Sequence, residues 1–127
     1  MPRTEVRVYR QSSGETPVTD WLDHLAGRQP RAYAKCLQRI RLLAEMGNEL
    51  RRPLADMLRD GVYELRAKVG RVNYRVLYFF CGPNVACLSH GLTKEDEVPD
   101  EEIDCAVRRK RLVERDPDRY TAEWEWE

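Results

Sequence analysis

Three extended runs follow one another in the middle of the chain, separated only by short turns. In the first run, the apolar residues Tyr63 and Leu65 alternate with charged neighbours, as they do in a strand with two different faces. A turn at Gly82-Pro83-Asn84 separates the second run from the third. Connections this short join antiparallel neighbours, so these runs predict a small antiparallel sheet. The runs are Val62–Arg66, Val72–Phe80 and Val85–Leu92.

Two helices are predicted before these runs. A short one is expected to be capped by Thr19 or Asp20 and to end at Gly27. A longer one begins at Pro30 and ends at Gly47, where glycine can adopt the left-handed conformation that closes a helix. Its apolar residues recur at helical spacing, so they form one face that can pack on the sheet. These residues are Tyr33, Leu37, Ile40 and Ala44.

The remaining segments complete an α+β fold with the predicted order β-α-α-β-β-β-α, in which helices pack on a small, antiparallel-rich sheet. Val6–Tyr9 predicts the first strand, and Leu54–Leu58 is expected to be a loop segment that docks on the core. The last helix begins at Pro99, with acidic residues first and basic residues near its end, an order that complements the helix dipole. Residues 1–115 are expected to form one domain, and the acidic tail 116–127 to be flexible.

The composition is typical of a globular domain rather than a membrane protein, with 42% hydrophobic residues and a mean hydropathy of -0.70. No apolar run approaches the roughly 20 residues that span a bilayer, and the N-terminus lacks the apolar core of a signal peptide. We therefore expect a cytoplasmic protein. The four cysteines fit no zinc motif, so we expect reduced thiols and neither a metal nor a cofactor.

Charge is balanced over the whole chain but not along it. Residues 28–75 carry 12 Lys/Arg and 5 Asp/Glu, whereas residues 76–127 carry 7 and 13. A basic middle joined to an acidic end is compatible with a surface that binds a polyanion, and equally with ordinary solvated charge.

Familiar catalytic motifs are missing from the sequence, which has no phosphate loop, no GxSxG elbow and no dinucleotide fingerprint. Nothing in it places a cysteine beside a histidine as a nucleophilic pair. The candidate functional residues are therefore cationic and phenolic side chains around the predicted hairpins. They are Arg66, Lys68, Arg71, Tyr74, Arg75 and Lys94.

Four sequence segments occur in a fixed order in the second half of the chain. They are GVYELR (61–66), NYRVLYF (73–79), SHGLTKE (89–95) and VPDEEIDCAVRRKR (98–111). Together they resemble the core of the phage-derived HigB-like toxins of the RelE/ParE superfamily, and the resemblance extends over about residues 18–112. Each segment alone is a weak signal, but four in order at compatible spacing are specific.

The resemblance implies a RelE-like fold and a role as the toxin of a type II toxin–antitoxin pair, carried by a prophage. Such a toxin is a metal-independent endoribonuclease that cuts messenger RNA on the ribosome and so inhibits translation. Its partners would be the ribosome, the message and a cognate antitoxin of helix-turn-helix type, which alone would contact DNA. The matching positions imply catalytic roles for Glu64, Arg66, His90, Arg75 and Lys94.

These residue types suit cleavage of RNA without a metal. The ribose 2′-OH attacks the adjacent phosphorus, and fixed cations stabilise the negative charge that gathers on the phosphate oxygens. If the last hairpin pairs symmetrically about Pro83, Arg75 lies opposite position 91, about three residues from Lys94. Both cationic ends could then reach one phosphate. Neither residue is expected in the core, because a buried unpaired cation is costly.

A second set of residues is expected to bind RNA. Basic residues of the long helix recur at spacings that place them on one side, where they could contact RNA or an acidic antitoxin segment, or could simply be solvated. Tyr74 could stack on a base, as aromatic residues do in RNA-binding proteins. The set comprises Arg31, Lys35, Arg39, Lys68, Arg71 and Tyr74.

The sequence also departs from the family pattern. Leu92 replaces the usual Phe, and Glu95 stands where a second Lys is common, followed by the acidic pair Asp96-Glu97. These changes remove positive charge beside the proposed site. Two alternatives therefore stay open: a ParE-like protein that inhibits DNA gyrase without cutting nucleic acid, and an inactive module that only binds the antitoxin.

Overall fold

The sheet has more strands than the sequence predicts. The structure is a computed structural model that describes residues 3–94 and 96–125, with the backbone alone for Lys94. Within these ranges it contains six strands and four α-helices, plus a 3-10 turn at Gly47–Glu49. The elements are β1 (Glu5–Tyr9), α1 (Pro17–Arg28), α2 (Pro30–Met46), β2 (Ala55–Arg59), β3 (Val62–Val69), β4 (Val72–Phe80), β5 (Val85–Lys94), α3 (Asp100–Arg115), α4 (Pro117–Tyr120) and β6 (Thr121–Glu123).

The strands form one mixed sheet in the order β2-β3-β4-β5-β1-β6. Strands β2 to β5 are an antiparallel meander, which confirms the two hairpins expected from the short turns. Strand β1 lies parallel to β5, and β6 runs antiparallel to β1. The parallel pair is possible because α1, α2 and the meander provide a long connection between β1 and β5.

Helices α1 and α2 cover one face of the sheet. The buried residues of α2 recur at helical spacing and pack against strands β1, β3 and β4, so the face expected from the sequence is confirmed with a slight rotation. On α1, Trp21 lies so close to Gly91 of β5 that any Cβ at position 91 would collide with the indole. The buried residues of α2 are Ala32, Cys36, Ile40, Leu43 and Ala44.

Helix α3 covers the opposite face. Its Ile103, Ala106 and Val107 pack against apolar residues of β3, β4 and β5. Because both faces are covered, β4 is buried along most of its length. Its alternate residues therefore belong to two layers: Tyr74 to the α1/α2 side and Leu77 to the α3 side. In the described ranges, no helix combines the length and apolar character needed to cross a bilayer.

The segment Leu54–Leu58 was expected to be a docked loop, and this prediction is wrong. Ala55–Arg59 forms the edge strand β2, paired antiparallel with β3. Ala55, at the start of the strand, is buried in the core, whereas Met57, two residues further along, is 56% exposed. A strand this short, with apolar and charged residues mixed on both faces, gives little hydrophobic signal, which is why its sequence suggests a loop.

The acidic tail was expected to be flexible, but its described part is folded. Strand β6 pairs with β1, which makes the observed order β-α-α-β-β-β-β-α-α-β instead of the shorter order predicted. Arg7 donates a 2.9 Å hydrogen bond to the Thr121 hydroxyl, and Tyr9 stacks on Tyr120. Trp126 and Glu127 lie outside the described residues.

The start of α1 also differs from the prediction. The helix begins at Pro17, with Thr16 in the capping position, rather than at Thr19 or Asp20. Proline is favoured in the first helical turn because its missing N–H would have no partner there. Thr19 instead donates its hydroxyl to the carbonyl of Thr16.

Candidate functional site

A cavity of about 670 Å³ opens on the α3 side of the sheet. It lies between the ends of β2, β3 and β4 and the segment that leads from β5 into α3. Three of the residues expected to be catalytic, Glu64, Arg66 and Arg75, line it together. The structure therefore brings the core of the predicted site into one place.

Pairing of β3 with β4 fixes the relative positions of these residues. Arg66 and Arg75 are directly opposite one another in the register, and Glu64 lies two residues earlier on β3. Residues two apart on a strand share a face, so Glu64 and Arg66 point to the α3 side together with Arg75. Glu64 is only 1% exposed and Arg75 only 8%.

A single carboxylate oxygen of Glu64 accepts hydrogen bonds from both arginines. Arg66 Nε lies 2.5 Å from Glu64 Oε1, and Arg75 Nη1 donates to the same oxygen. Arg75 Nη2 donates to the backbone carbonyl of Asp96 at 2.7 Å, while its Nε is buried without a partner. The expectation that Arg75 lies outside the core is therefore wrong, because Glu64 supplies the opposite charge that makes burial tolerable.

The ion pairs continue outward from the buried end of the cavity. Asp56 Oδ2 accepts from Arg66 Nη2 at 3.3 Å and from Arg52 Nη2 at 2.8 Å. The hydrogen bond from Arg52 is the main reason that the pKa of Asp56 is lowered. The result is an alternating row of charges: Arg52, Asp56, Arg66, Glu64 and Arg75.

Sequence reasoning missed Arg52 and Asp56. Asp56 belongs to the segment Leu54–Leu58 that was expected to be a loop, and Arg52 lies just before that segment, so nothing connected them to the strands that carry the other candidates. Their spacing of four residues with opposite charge was the available signal, but such pairs are common on protein surfaces and indicate little alone.

The mouth of the cavity is acidic. Asp96, Glu97 and Asp100 line it and are exposed. Among the described lining residues there are five carboxylates and three guanidinium groups. The acidic pair Asp96-Glu97 therefore lies directly beside the arginine cluster, defined as Arg66 and Arg75, where it weakens attraction for an anion.

Lys94 ends β5, and its register differs from the prediction. Arg75 is opposite Leu92 rather than position 91, and Lys94 is opposite Asn73. The shift of one residue comes from a bulge next to Leu77, where Ser89 is the extra residue of β5. The side chain of Lys94 is outside the described part of the structure, so its proposed role stays a prediction.

His90 does not line the cavity. It lies beneath α3, where its Nδ1 is 2.8 Å from the Ser89 hydroxyl and 3.1 Å from Arg109 Nη1, and its Nε2 is 3.3 Å from Glu102. Burial and the neighbouring Arg109 lower the pKa of His90, against the opposite effect of Glu102. The geometry gives His90 a part in attaching α3 to the sheet and no contact with the arginine cluster.

The residues expected to bind RNA lie in two places: the basic ones at a surface and Tyr74 in the core. Lys35 Nζ donates to the backbone carbonyl of Lys68 at 2.6 Å, and Arg39 Nε donates to that of Arg66 at 3.1 Å. These contacts join α2 to the half of β3 that β2 does not cover. With the exposed Arg31 and Arg71 they form the basic stripe, defined as Arg31, Lys35, Arg39, Lys68 and Arg71.

Tyr74 does not belong to this surface. It is 8% exposed and packs in the core between the sheet and helices α1 and α2. The expectation that it stacks on a base is therefore wrong for this conformation. An aromatic residue at a central strand position is buried here because both faces of β4 are covered.

The guanidinium groups that line the cavity suit the binding of anions. Within 3–94 and 96–125, no group of three or more His, Cys, Asp and Glu residues is placed to hold a metal ion. All four cysteines lie in this part and are free. The guanidinium groups, by contrast, carry planar donors that match phosphate oxygens.

One protein-family model matches the part of the chain that forms the central strands and the cavity. The family model described as "Phage derived protein Gp49-like (DUF891)" matches residues 20–111, well over half of the chain. No curated protein sequence matches the chain. The match includes β2 to β5, most of α3 and every described lining residue of the cavity. The chain therefore belongs to the Gp49-like family of phage-derived proteins, a toxin-like family of the RelE/HigB type.

Proposed function

We propose that this protein is the toxin of a type II toxin–antitoxin pair and cleaves messenger RNA on the ribosome. The observation that carries the proposal is the buried Glu64 carboxylate, which holds Arg66 and Arg75 at one cavity in a member of a toxin-like family. Burying charged groups lowers the stability that a protein could otherwise reach. A network of buried charges with one partly open end is therefore typical of functional sites.

The arginine cluster would act on the charge that develops during cleavage. When the 2′-OH attacks the phosphorus, it gives up its proton, the bond from phosphorus to the 5′ oxygen breaks, and that oxygen takes up a proton. Negative charge accumulates on the non-bridging oxygens during this step. Arg66, whose side chain is 32% exposed, can donate to those oxygens while Glu64 keeps its guanidinium in place. Arg75 is too buried to touch the phosphate in this conformation, so it would act by fixing Glu64. The ribosome would align the message, since orientation alone can supply roughly 7–11 kcal/mol.

The basic stripe supports an RNA substrate independently of the cavity. Residues 30–44 contain no acidic side chain, and neither does the segment 66–71 of β3 and its turn. A surface of one sign concentrates polyanions and steers them during association. The stripe would therefore attract the message or ribosomal RNA, and the cavity would act on the phosphodiester.

Expression in a bacterial host tests this proposal. Induced alone, the protein should stop growth, and a cognate antitoxin, which we expect to be a small helix-turn-helix protein, should restore it. Mapping of messenger-RNA ends should show new cuts within translated regions, and purified protein should cut naked RNA poorly. Loss of gyrase supercoiling with intact RNA would favour the ParE-like alternative instead.

One observation favours a second candidate, a module that binds an antitoxin without catalysis. Arg75 is held by Glu64 and by the Asp96 carbonyl, and the cavity mouth is acidic. Such a closed, acid-rimmed cluster would bind a phosphate weakly. Normal growth at confirmed protein levels, together with tight binding of the antitoxin, would identify this second function.

A further inference from the structure

Arg52 is the most accessible of the three arginines that line the described part of the cavity. Its side chain is 75% exposed, against 32% for Arg66 and 9% for Arg75. It precedes β2, at the outer end of the alternating row of charges. An incoming ligand would therefore meet Arg52 before it meets the buried end of the row.

Arg75 is poorly placed for a first contact with a ligand. Its two terminal nitrogens are occupied by Glu64 and by the Asp96 carbonyl, and both contacts are buried or partly buried. A phosphate could reach it only after the segment at Asp96 had moved. The accessible positive charge of the cavity consequently belongs to Arg66 and Arg52.

One carboxylate oxygen joins these two accessible arginines. Asp56 Oδ2 lies 2.8 Å from Arg52 Nη2 and 3.3 Å from Arg66 Nη2. Because Arg52 Nη2 and Arg66 Nη2 contact the same oxygen, the distance between these two nitrogens cannot exceed the sum of the two N–O distances. A phosphate group can bridge that gap with two of its oxygens, so it can take the place that the Asp56 carboxylate occupies here.

We propose that Arg52 and Arg66 form a phosphate clamp at the mouth of the cavity, fitted to the backbone of single-stranded RNA, in which the phosphate replaces the Asp56 carboxylate between the two arginines. A cavity of about 670 Å³ matches the size of sites for small ligands and admits a nucleotide but not a double helix. Arg52 contacts the phosphate directly, and the Asp56 carboxylate, which lies between the two arginines when no phosphate is bound, competes with it for their donors. The clamp deepens the proposed RNA cleavage and rests on it for its role.

Equilibrium binding of short fluorescent oligonucleotides, oligo(U) and oligo(A), over a range of salt concentrations tests the clamp. Arg52→Ala should weaken binding of both about tenfold and should reduce the slope of log K against log salt by about 0.7, the value for one phosphate on a single strand. Arg59→Ala is the matched control, because Arg59 lies on β2 but pairs with Asp104 and Asp60. It should leave affinity and slope unchanged.

A second variant changes binding in the opposite direction. Asp56→Asn removes the charge that competes with the phosphate, so it should tighten binding of both oligonucleotides, and a thermal melt of each variant confirms that it is folded. The clamp is overturned if Arg52→Ala behaves like Arg59→Ala, if folded Asp56→Asn binds more weakly, or if the wild-type protein binds neither oligonucleotide.

The binding assay also separates the clamp from the proposed function. It needs neither a ribosome nor a cleavage step. If the variants show the expected slopes but the protein never cuts ribosome-bound message, the clamp stands and the nuclease assignment is wrong. If the protein cuts message normally but Arg52→Ala keeps the wild-type slope, the nuclease assignment stands and the clamp is wrong.

Discussion

Arg75 of β4 and Glu64 of β3 form a buried ion pair across neighbouring strands, with Arg66 on the same carboxylate oxygen. The pair links stability to the proposed chemistry, because any change at Arg75 also leaves Glu64 buried with less compensation. Arg75→Ala would therefore destabilise the protein as well as alter the site. Tests of chemistry are cleaner at Arg66, which is partly exposed.

Loss of Glu64 should destabilise the fold strongly. Glu64→Ala leaves the Arg75 guanidinium buried without its counter-charge and should lower the free energy of unfolding by about 3–5 kcal/mol. Urea titration measures this. Glu114→Ala is the control, since its pair with Lys110 is exposed and should contribute no more than about 1 kcal/mol. The double variant Glu64→Leu/Arg75→Met should recover most of the stability. If Glu64→Ala and Glu114→Ala lower the free energy of unfolding equally, the account is contradicted.

Neutralising the acidic mouth should strengthen RNA binding. In Asp96→Asn/Glu97→Gln two exposed negative charges disappear, while the backbone carbonyl that holds Arg75 remains. We expect roughly three- to tenfold tighter binding at low salt, with the gain shrinking as salt rises. Asp20→Asn/Asp23→Asn on α1 makes the same change in net charge away from the cavity. If that control tightens binding equally, the position of the acidic residues is irrelevant.

Stability should fall in mild acid because of His90. Burial lowers its pKa below the ordinary 6.5, so between those two values the unfolded chain binds more protons than the folded one. The free energy of unfolding is then fully retained above about pH 6.5 and decreases as the pH falls toward the folded-state pKa. His90→Gln should flatten this part of the profile, whereas His24→Gln, at an exposed position on α1, should not. Parallel profiles for the wild type and His90→Gln would refute the assignment.

Gly91 should tolerate no side chain. Because a Cβ there would collide with the indole of Trp21, Gly91→Ala should cost about 1–3 kcal/mol. Gly27→Ala provides the contrast: it has open space on α1 and should stabilise by up to about 1 kcal/mol. Combining Gly91→Ala with Trp21→Ala should reduce the penalty of the first change. An unaltered penalty in that background would show that the indole is not its cause.

Local patterns predicted strands β3 to β5 and the helices that flank them. Short turns at Gly70 and Gly82 specify antiparallel pairing, and helical spacing specifies the buried face of α2. The bulge at Ser89 could not be predicted, because nothing in a strand sequence marks where one extra residue is accommodated. Strands β2 and β6 were missed because short edge strands are specified by their partners rather than by their own apolar periodicity.

The sequence predicted which residues form the candidate site but not how deeply each of them is buried. Glu64, Arg66 and Arg75 follow from the family resemblance, and the register brings them together. That Arg75 is buried depends on α3 and on the segment at Asp96, which lie far away in the sequence. His90 and Tyr74 were misplaced for the same reason, since the layer that covers each strand position is decided by tertiary packing.

Cleavage of ribosome-bound message by Arg66→Ala is the most direct test of the central claim. In a reconstituted translation reaction, the wild-type protein should cut the message, and Arg66→Ala should cut it about 100- to 1000-fold more slowly, the loss expected for a group that stabilises developing charge. Lys94→Ala should behave similarly, and Arg59→Ala should match the wild type. Intact message with the wild-type protein, or equal rates for the wild type and a folded Arg66→Ala, would contradict the account.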